Sequence, residues 1–122
     1  INIAAAAGIE REMVAVDPGL GFGKAAADNF VLIAGLGRFA QLDCPIVVGA
    51  SRKSFLWKPL GLSPEECLEP SLAAAALAAY RGAHMIRVHD VKSTIRAVRT
   101  VEAIIRASPN GFKEPRVMGS AK

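Results

Sequence analysis

Short apolar runs alternate along this chain with longer segments whose apolar residues recur at helical spacing. Met13, Val14, Ala15 and Val16 form a run of buried-strand length, closed by the turn signal Asp17-Pro18-Gly19. From an N-cap at Asp28 or Asn29, the positions Leu32, Leu36, Phe39 and Ala40 predict a helix of about three turns. Pro45-Ile46-Val47-Val48-Gly49 is continuous and β-branched, as expected of a parallel strand covered on both faces. Ser63-Pro64-Glu65-Glu66 places a cap, a proline and two acids where a short helix begins, and Pro70 predicts a break or a fresh start. Ser71 to Arg81 is an alanine-rich helix carrying Leu72, Leu77 and Tyr80, with Gly82 in place for a C-terminal cap. Met85-Ile86-Arg87-Val88-His89 is a third strand. After Asp90, the spacing of Ile95, Val98, Val101 and Ile105 predicts an amphipathic helix. Three strand and helix units in alternation predict an α/β fold with parallel strands over residues 1–107, and the Pro, Gly and charge of residues 108–122 predict a flexible tail.

The composition narrows the function classes. Of the 122 residues 52% are hydrophobic and 21% charged, which reads as a soluble globular chain. No window approaches the roughly 18 apolar residues of a membrane span, and no secretory leader is visible, so a cytoplasmic setting is the expectation. The first residue is Ile1, and the opening residues read as the end of a helix, so a longer parent protein is expected too. Cys44 and Cys67 have no His or Cys at metal-ligand spacing and are expected to be reduced thiols. The formal charge of +4 owes much to Arg96, Arg99, Arg106, Lys113, Arg116 and Lys122. They lack interleaved aromatics, so a solvated face and tail fits better than a nucleic-acid surface.

Candidate chemistry gathers at the ends of the three strands, where parallel α/β folds keep their ligand sites. The first end reads DPGLGFGK, Asp17 to Lys24, with glycines that let the backbone approach a ligand and a carboxylate able to accept from a nitrogen-rich ring. A tight loop with a helix-capping Asp is the plain alternative. The second reads VGASRKSF, Val48 to Phe55, in which Ser51, Arg52, Lys53 and Ser54 crowd two cations and two hydroxyls beside a buried strand. A solvated loop is its alternative. At the third, Arg87 and His89 alternate with Ile86 and Val88, so both point to one side, where a fork and a second donor suit phosphate oxygens. An ion pair of Arg87 with Asp17 or Asp90 competes with that reading. His84 is expected to be a cap or surface residue, and Trp57 to pack or lie on a loop.

DPGLGFGK, VGASRKSF and RVHDV, in this order and at these separations, resemble the three C-terminal signature segments of dihydropteroate synthases, and SLAAAALAAYRGAH resembles the helix between the last two. The similarity runs from about Gly8 to about Ala107. It implies the last three units of a (β/α)8 TIM barrel, a fold that usually takes about 250 residues. It also implies an enzyme that condenses 6-hydroxymethyl-7,8-dihydropterin pyrophosphate with p-aminobenzoate, giving 7,8-dihydropteroate and pyrophosphate, with these residues inactive on their own. Trp57 and Pro70 depart from the family pattern, which more often has glycine and a small residue there. A related pterin-binding methyltransferase barrel and a non-catalytic phosphate-binding or assembly module are the other readings.

By the same resemblance, Asp17 would hydrogen-bond the pterin, Gly49 would line its pocket, and Phe22 would border the p-aminobenzoate side. Lys53 would contact the pterin and the reacting region, and Ser54 the p-aminobenzoate. Arg87 would lie against the pterin and, with His89, hold the leaving pyrophosphate, so that Asp17, Lys53 and Arg87 carry the catalytic roles. Magnesium is implied as cofactor, held by an asparagine on an early strand that this sequence does not contain, and no ligand is assigned among these residues. A homodimer through the C-terminal helices is implied as well.

Overall fold

A computed structural model describes residues 1–109. The residues with the strongest strand pattern form a small parallel sheet: β1, Val47–Val48, pairs with β2, Met85–Ile86, in the register Val47 to Met85 and Val48 to Ile86. On the other side of β1 the chain at Val16 makes a parallel bridge to Ile46, with Val16 N–H on the Pro45 carbonyl and Val47 N–H on that of Val16, each at 2.8 Å. The first expected strand is thus reduced to one bridge. Residues Arg11–Met13 instead form a 3-10 turn, and Met13 lies in solvent. Among the described residues this segment pairs on one side only, with Ile46.

Helices cover one face of this sheet. In β1 and its approach, Ile46 and Val48 are each 1% exposed, while Val47 between them is half-buried. The alternation follows from the two-residue period of a strand. The expectation of burial on both faces is therefore corrected: nothing in the described chain seals the Val47 side. Against Ile46 and Val48 pack Leu20, Ile33, Leu36, Phe55, Leu56, Ala74 and Ala78, and burial of each large aliphatic side chain favours the fold by about 1.5–3 kcal/mol.

The helices are α1 (Asn2–Ala6), α2 (Ala26–Ala34), α3 (Ser54–Trp57), α4 (Leu68–Tyr80) and α5 (Val91–Arg106). The expected cap of α2 is corrected, because Ala25 caps it without a side-chain bond and Asn29 lies buried inside the helix. At Gly35 the helix tightens into the 3-10 segment Leu36–Leu42. Ser63 and Glu66 close a capping box, but around a three-residue 3-10 turn. Pro70 does not break α4. It is the third residue of the helix, where the missing N–H has no intrahelical partner to lose. At the other end Gly82, φ 101°, turns the chain so that Ala83 N–H reaches the Ala78 carbonyl at 2.9 Å, closing a Schellman cap. Ala74, Ala75 and Ala78 bury the smooth side of α4, and α5 packs beside it. Both cysteines are free and buried. Of the expected tail, residues 110–122 lie outside the described residues.

Candidate active site

The three strand ends meet at one corner. In the register of β1 and β2, Arg87 falls opposite Gly49 and His89 opposite Ser51, so the same-side spacing seen in the sequence becomes two stacked pairs. The Arg87 guanidinium lies across Gly49: a Cβ there would stand 2.6 Å from Nη2. Only a residue without a side chain leaves that room. From the first strand end, Asp17 Oδ2 approaches the same Nη2 at 3.7 Å, with Arg87 and Asp17 side chains 64% and 36% exposed. The expected Arg87–Asp17 ion pair is present but long. Asp17 Oδ1 accepts the Gly19 N–H at 2.8 Å, so the loop alternative holds in part while Oδ2 faces the corner.

The glycine loop is built for close approach. Gly19, Gly21 and Gly23 all have positive φ, which side chains resist. Gly21 sits against Lys53, whose Cδ would be 2.9 Å from a Cβ on Gly21. The Lys53 ammonium donates to the Leu20 carbonyl and lies 4.6 Å above the Phe22 ring centroid, a cation–π contact. Burial, then the neighbouring Arg87, holds the Lys53 ammonium below the usual lysine pKa, against the opposing pull of Asp17. Lys24 turns back on its own loop, to the carbonyls of Gly19 at 2.8 Å and Phe22 at 3.1 Å.

The SRKS cluster is split rather than pooled. Ser51 Oγ lies 2.9 Å from His89 Nδ1 and accepts the His89 backbone N–H at 3.2 Å. The two contacts tie His89 to Ser51, and in the tautomer in which the hydroxyl donates to Nδ1 the ring proton lies on Nε2. Arg52 points away from the corner and pairs with Asp90 at 2.9 Å. Its backbone is left-handed, φ 59°, and is held by Arg52 N–H on Ser71 Oγ at 2.9 Å and by the Trp57 indole on the Arg52 carbonyl at 3.3 Å. Trp57 thus packs beside the loop. Ser54 opens α3 and is exposed. Of the residues singled out in the sequence, Asp17, Phe22, Gly49, Lys53 and Arg87 form the corner, His89 adjoins it through Ser51, and Ser54 stands on the next turn of chain.

His84 is exposed and its Nδ1 accepts the Ile46 N–H at 3.1 Å, a backbone cap as expected. Sequence reasoning missed Asn29. It is 0% exposed, its Oδ1 accepts Gly21 N–H at 2.7 Å, and its Nδ2 donates to the Ala25 carbonyl at 3.0 Å. The signal was available: Asn29 occupies the same helical stripe as Ile33 and Leu36, and a polar residue there needs a partner.

A family model described as pterin binding enzyme matches residues 1–89. A dihydropteroate synthase of Escherichia coli K12 is 49% identical over 104 residues, covering 85% of this chain and 37% of the relative. Among solved structures, the 7,8-dihydropteroate synthase of Vibrio fischeri superposes with a TM-score of 0.85 at 42% identity, covering 89% of this chain and 40% of the other. A dihydropteroate synthase from Xanthomonas albilineans, solved in complex with 7,8-dihydropteroate, superposes with a TM-score of 0.83 at 42% identity, covering 88% of this chain and 41% of the other. The chain therefore spans about two fifths of the length of these relatives.

Proposed function

This chain belongs to the pterin binding enzyme family, and on that premise we propose that it is the C-terminal part of a dihydropteroate synthase. The observation that carries the reading is the corner itself, in which Asp17, Lys53 and Arg87 from three successive strand ends converge around Gly49. The architecture proposed with it is the last three units of a (β/α)8 barrel, of which the described residues form a partial α/β domain with a parallel sheet. The relatives described above are all named as synthases, which favours this reaction over that of a methyltransferase barrel.

In the proposed reaction the p-aminobenzoate nitrogen bonds to the pterin methylene carbon as the C–O bond to pyrophosphate breaks, its electron pair leaving with the oxygen, and the alkylated nitrogen then loses its proton to solvent. Asp17 Oδ2 accepts from the pterin ring and stabilises positive charge developing there. Lys53 stays fixed beside the reacting region, and Arg87 with His89 Nε2 meets the negative charge growing on pyrophosphate. Phe22 borders the p-aminobenzoate side, and Ser54 offers it a hydroxyl. The long Arg87–Asp17 contact supports these assignments, because neither group has its hydrogen-bonding capacity used up by the other.

Magnesium belongs to the proposal only as a partner of pyrophosphate. Among the described residues no three His, Cys, Asp or Glu side chains come together to hold a metal, and no step is derived through it. Its ligand, by the resemblance, is an asparagine outside this sequence. Homodimer formation through the C-terminal helices is supported by Leu77 on α4 and Ile95 on α5, each 44% exposed. No helix among the described residues is long and apolar enough to cross a membrane, and a cytoplasmic location is proposed. The experiment is to supply the full-length protein with the pterin pyrophosphate, p-aminobenzoate and magnesium and measure 7,8-dihydropteroate. Formation of product is expected; a folded protein that makes none under conditions where an authentic synthase does would end the reading.

A further inference from the structure

One peptide unit joins two of the features above. The Leu20–Gly21 peptide is planar and trans, so its N–H and C=O point in opposite directions and turn together. Its N–H is held at 2.7 Å by the buried Asn29 Oδ1, and its C=O receives the Lys53 ammonium. Asn29 in turn is anchored through Nδ2 on the Ala25 carbonyl at 3.0 Å, one helical turn back, and it has no exposed surface. Leu20, at 1% exposure, pins the other end of the unit in the core. Gly21 has φ 82°, so the plane is free to rotate unless something fixes it.

We propose that Asn29 is a positioning residue for Lys53: it sets the plane of the Leu20–Gly21 peptide, and that plane sets where the ammonium rests. This rests on the reading of the corner as a synthase site, but its physical content concerns Lys53 alone. Loss of the amide acceptor frees the peptide to rotate, the carbonyl leaves Lys53, and the ammonium moves out from beside Phe22. Gly21 is required from the other side, since the Lys53 stem lies where its Cβ would be.

The test uses the full-length protein and two readouts. The first is the NMR signal and titration of the Lys53 ammonium, with Arg87, Asp17 and Lys24 as the charged groups facing it. The variants are Asn29→Leu, which removes the acceptor, and Gly21→Ala, which crowds the Lys53 stem and strains the left-handed backbone of the same peptide unit. Both are expected to shift the Lys53 signal and move its titration midpoint. The second readout is kcat for Asn29→Leu in two backgrounds. Turnover should fall about tenfold in the otherwise unaltered enzyme, and less than about threefold further when Lys53 is already alanine, because groups acting as one unit are not additive. An unmoved Lys53 signal in every variant that folds, or equal losses in both backgrounds, overturns the proposal. Should the unaltered protein lack synthase activity, the reading of function fails, and the lysine signal alone decides this one.

Discussion

Two arginine–aspartate pairs stand at the same end of the fold and differ in what they leave available. Arg52 and Asp90 meet at 2.9 Å, with a second contact from Nε at 3.3 Å. The hydrogen bond to Asp90 raises the Arg52 pKa above its usual value, and the same bond holds the Asp90 carboxyl below the usual range. That pair is a fork closed on its carboxylate. Arg87 and Asp17 stand at 3.7 Å with no such closure, and their neighbours are a glycine that makes room and a lysine that raises the local positive charge. The outer pair ties the loop after β1 to the start of α5. The inner pair keeps its capacity for a guest.

The comparison breaks first if the inner corner carries no chemistry. Lys53→Ala is expected to lower kcat of the full-length enzyme by about 10² to 10³, the usual loss when one preorganised charged group leaves a reacting centre. Near-normal kcat and KM in steady-state assays of the folded variant would remove Lys53 from the site.

Gly49→Ala sharpens it. The added methyl meets Arg87 Nη2 at 2.6 Å, and because that nitrogen ends a flexible side chain, the guanidinium moves and the fold stays. Pyrophosphate Kd should rise about tenfold, equivalent to losing one charge-assisted hydrogen bond. An unchanged Kd by calorimetry would mean that Arg87 is not placed by Gly49.

The smallest effect belongs to the outer pair and is one of stability. Because the Asp90 carboxyl is depressed in the folded state, its contribution is fully present above the ordinary carboxylate value of about 3.9 and is lost as pH falls through the folded value. Urea midpoints of the unaltered protein and Asp90→Asn should therefore differ slightly at about pH 6, and the difference should shrink as pH falls below about 3.9. A difference that grows on acidification would contradict the assignment.

Much of this corner was legible in the chain because it depends on local rules. The glycines of DPGLGFGK announce positive φ, and the alternation of Arg87 and His89 announces one side of a strand; both follow from backbone geometry. What was not legible depended on packing at a distance. Nothing local to SRKS tells Arg52, turned outward by its left-handed backbone and Ser71, from Lys53, turned inward against Gly21. Asn29 looked like a helix cap because its residue type favours caps, and only the fold brings Gly21 to it. Pro70 marked a break or a fresh start, and a fresh helix does begin two residues before it, at Leu68.

The most direct measurement is calorimetric titration of pyrophosphate into the full-length protein, with magnesium present, for the unaltered chain, Arg87→Lys and Arg52→Lys. Lysine keeps the charge in both variants but lacks the guanidinium fork. If the inner corner receives the leaving group, Arg87→Lys weakens binding by about tenfold or more while Arg52→Lys leaves it nearly unchanged. Equal losses in the two variants, or none in Arg87→Lys, would contradict the division between a closed outer pair and an open inner one.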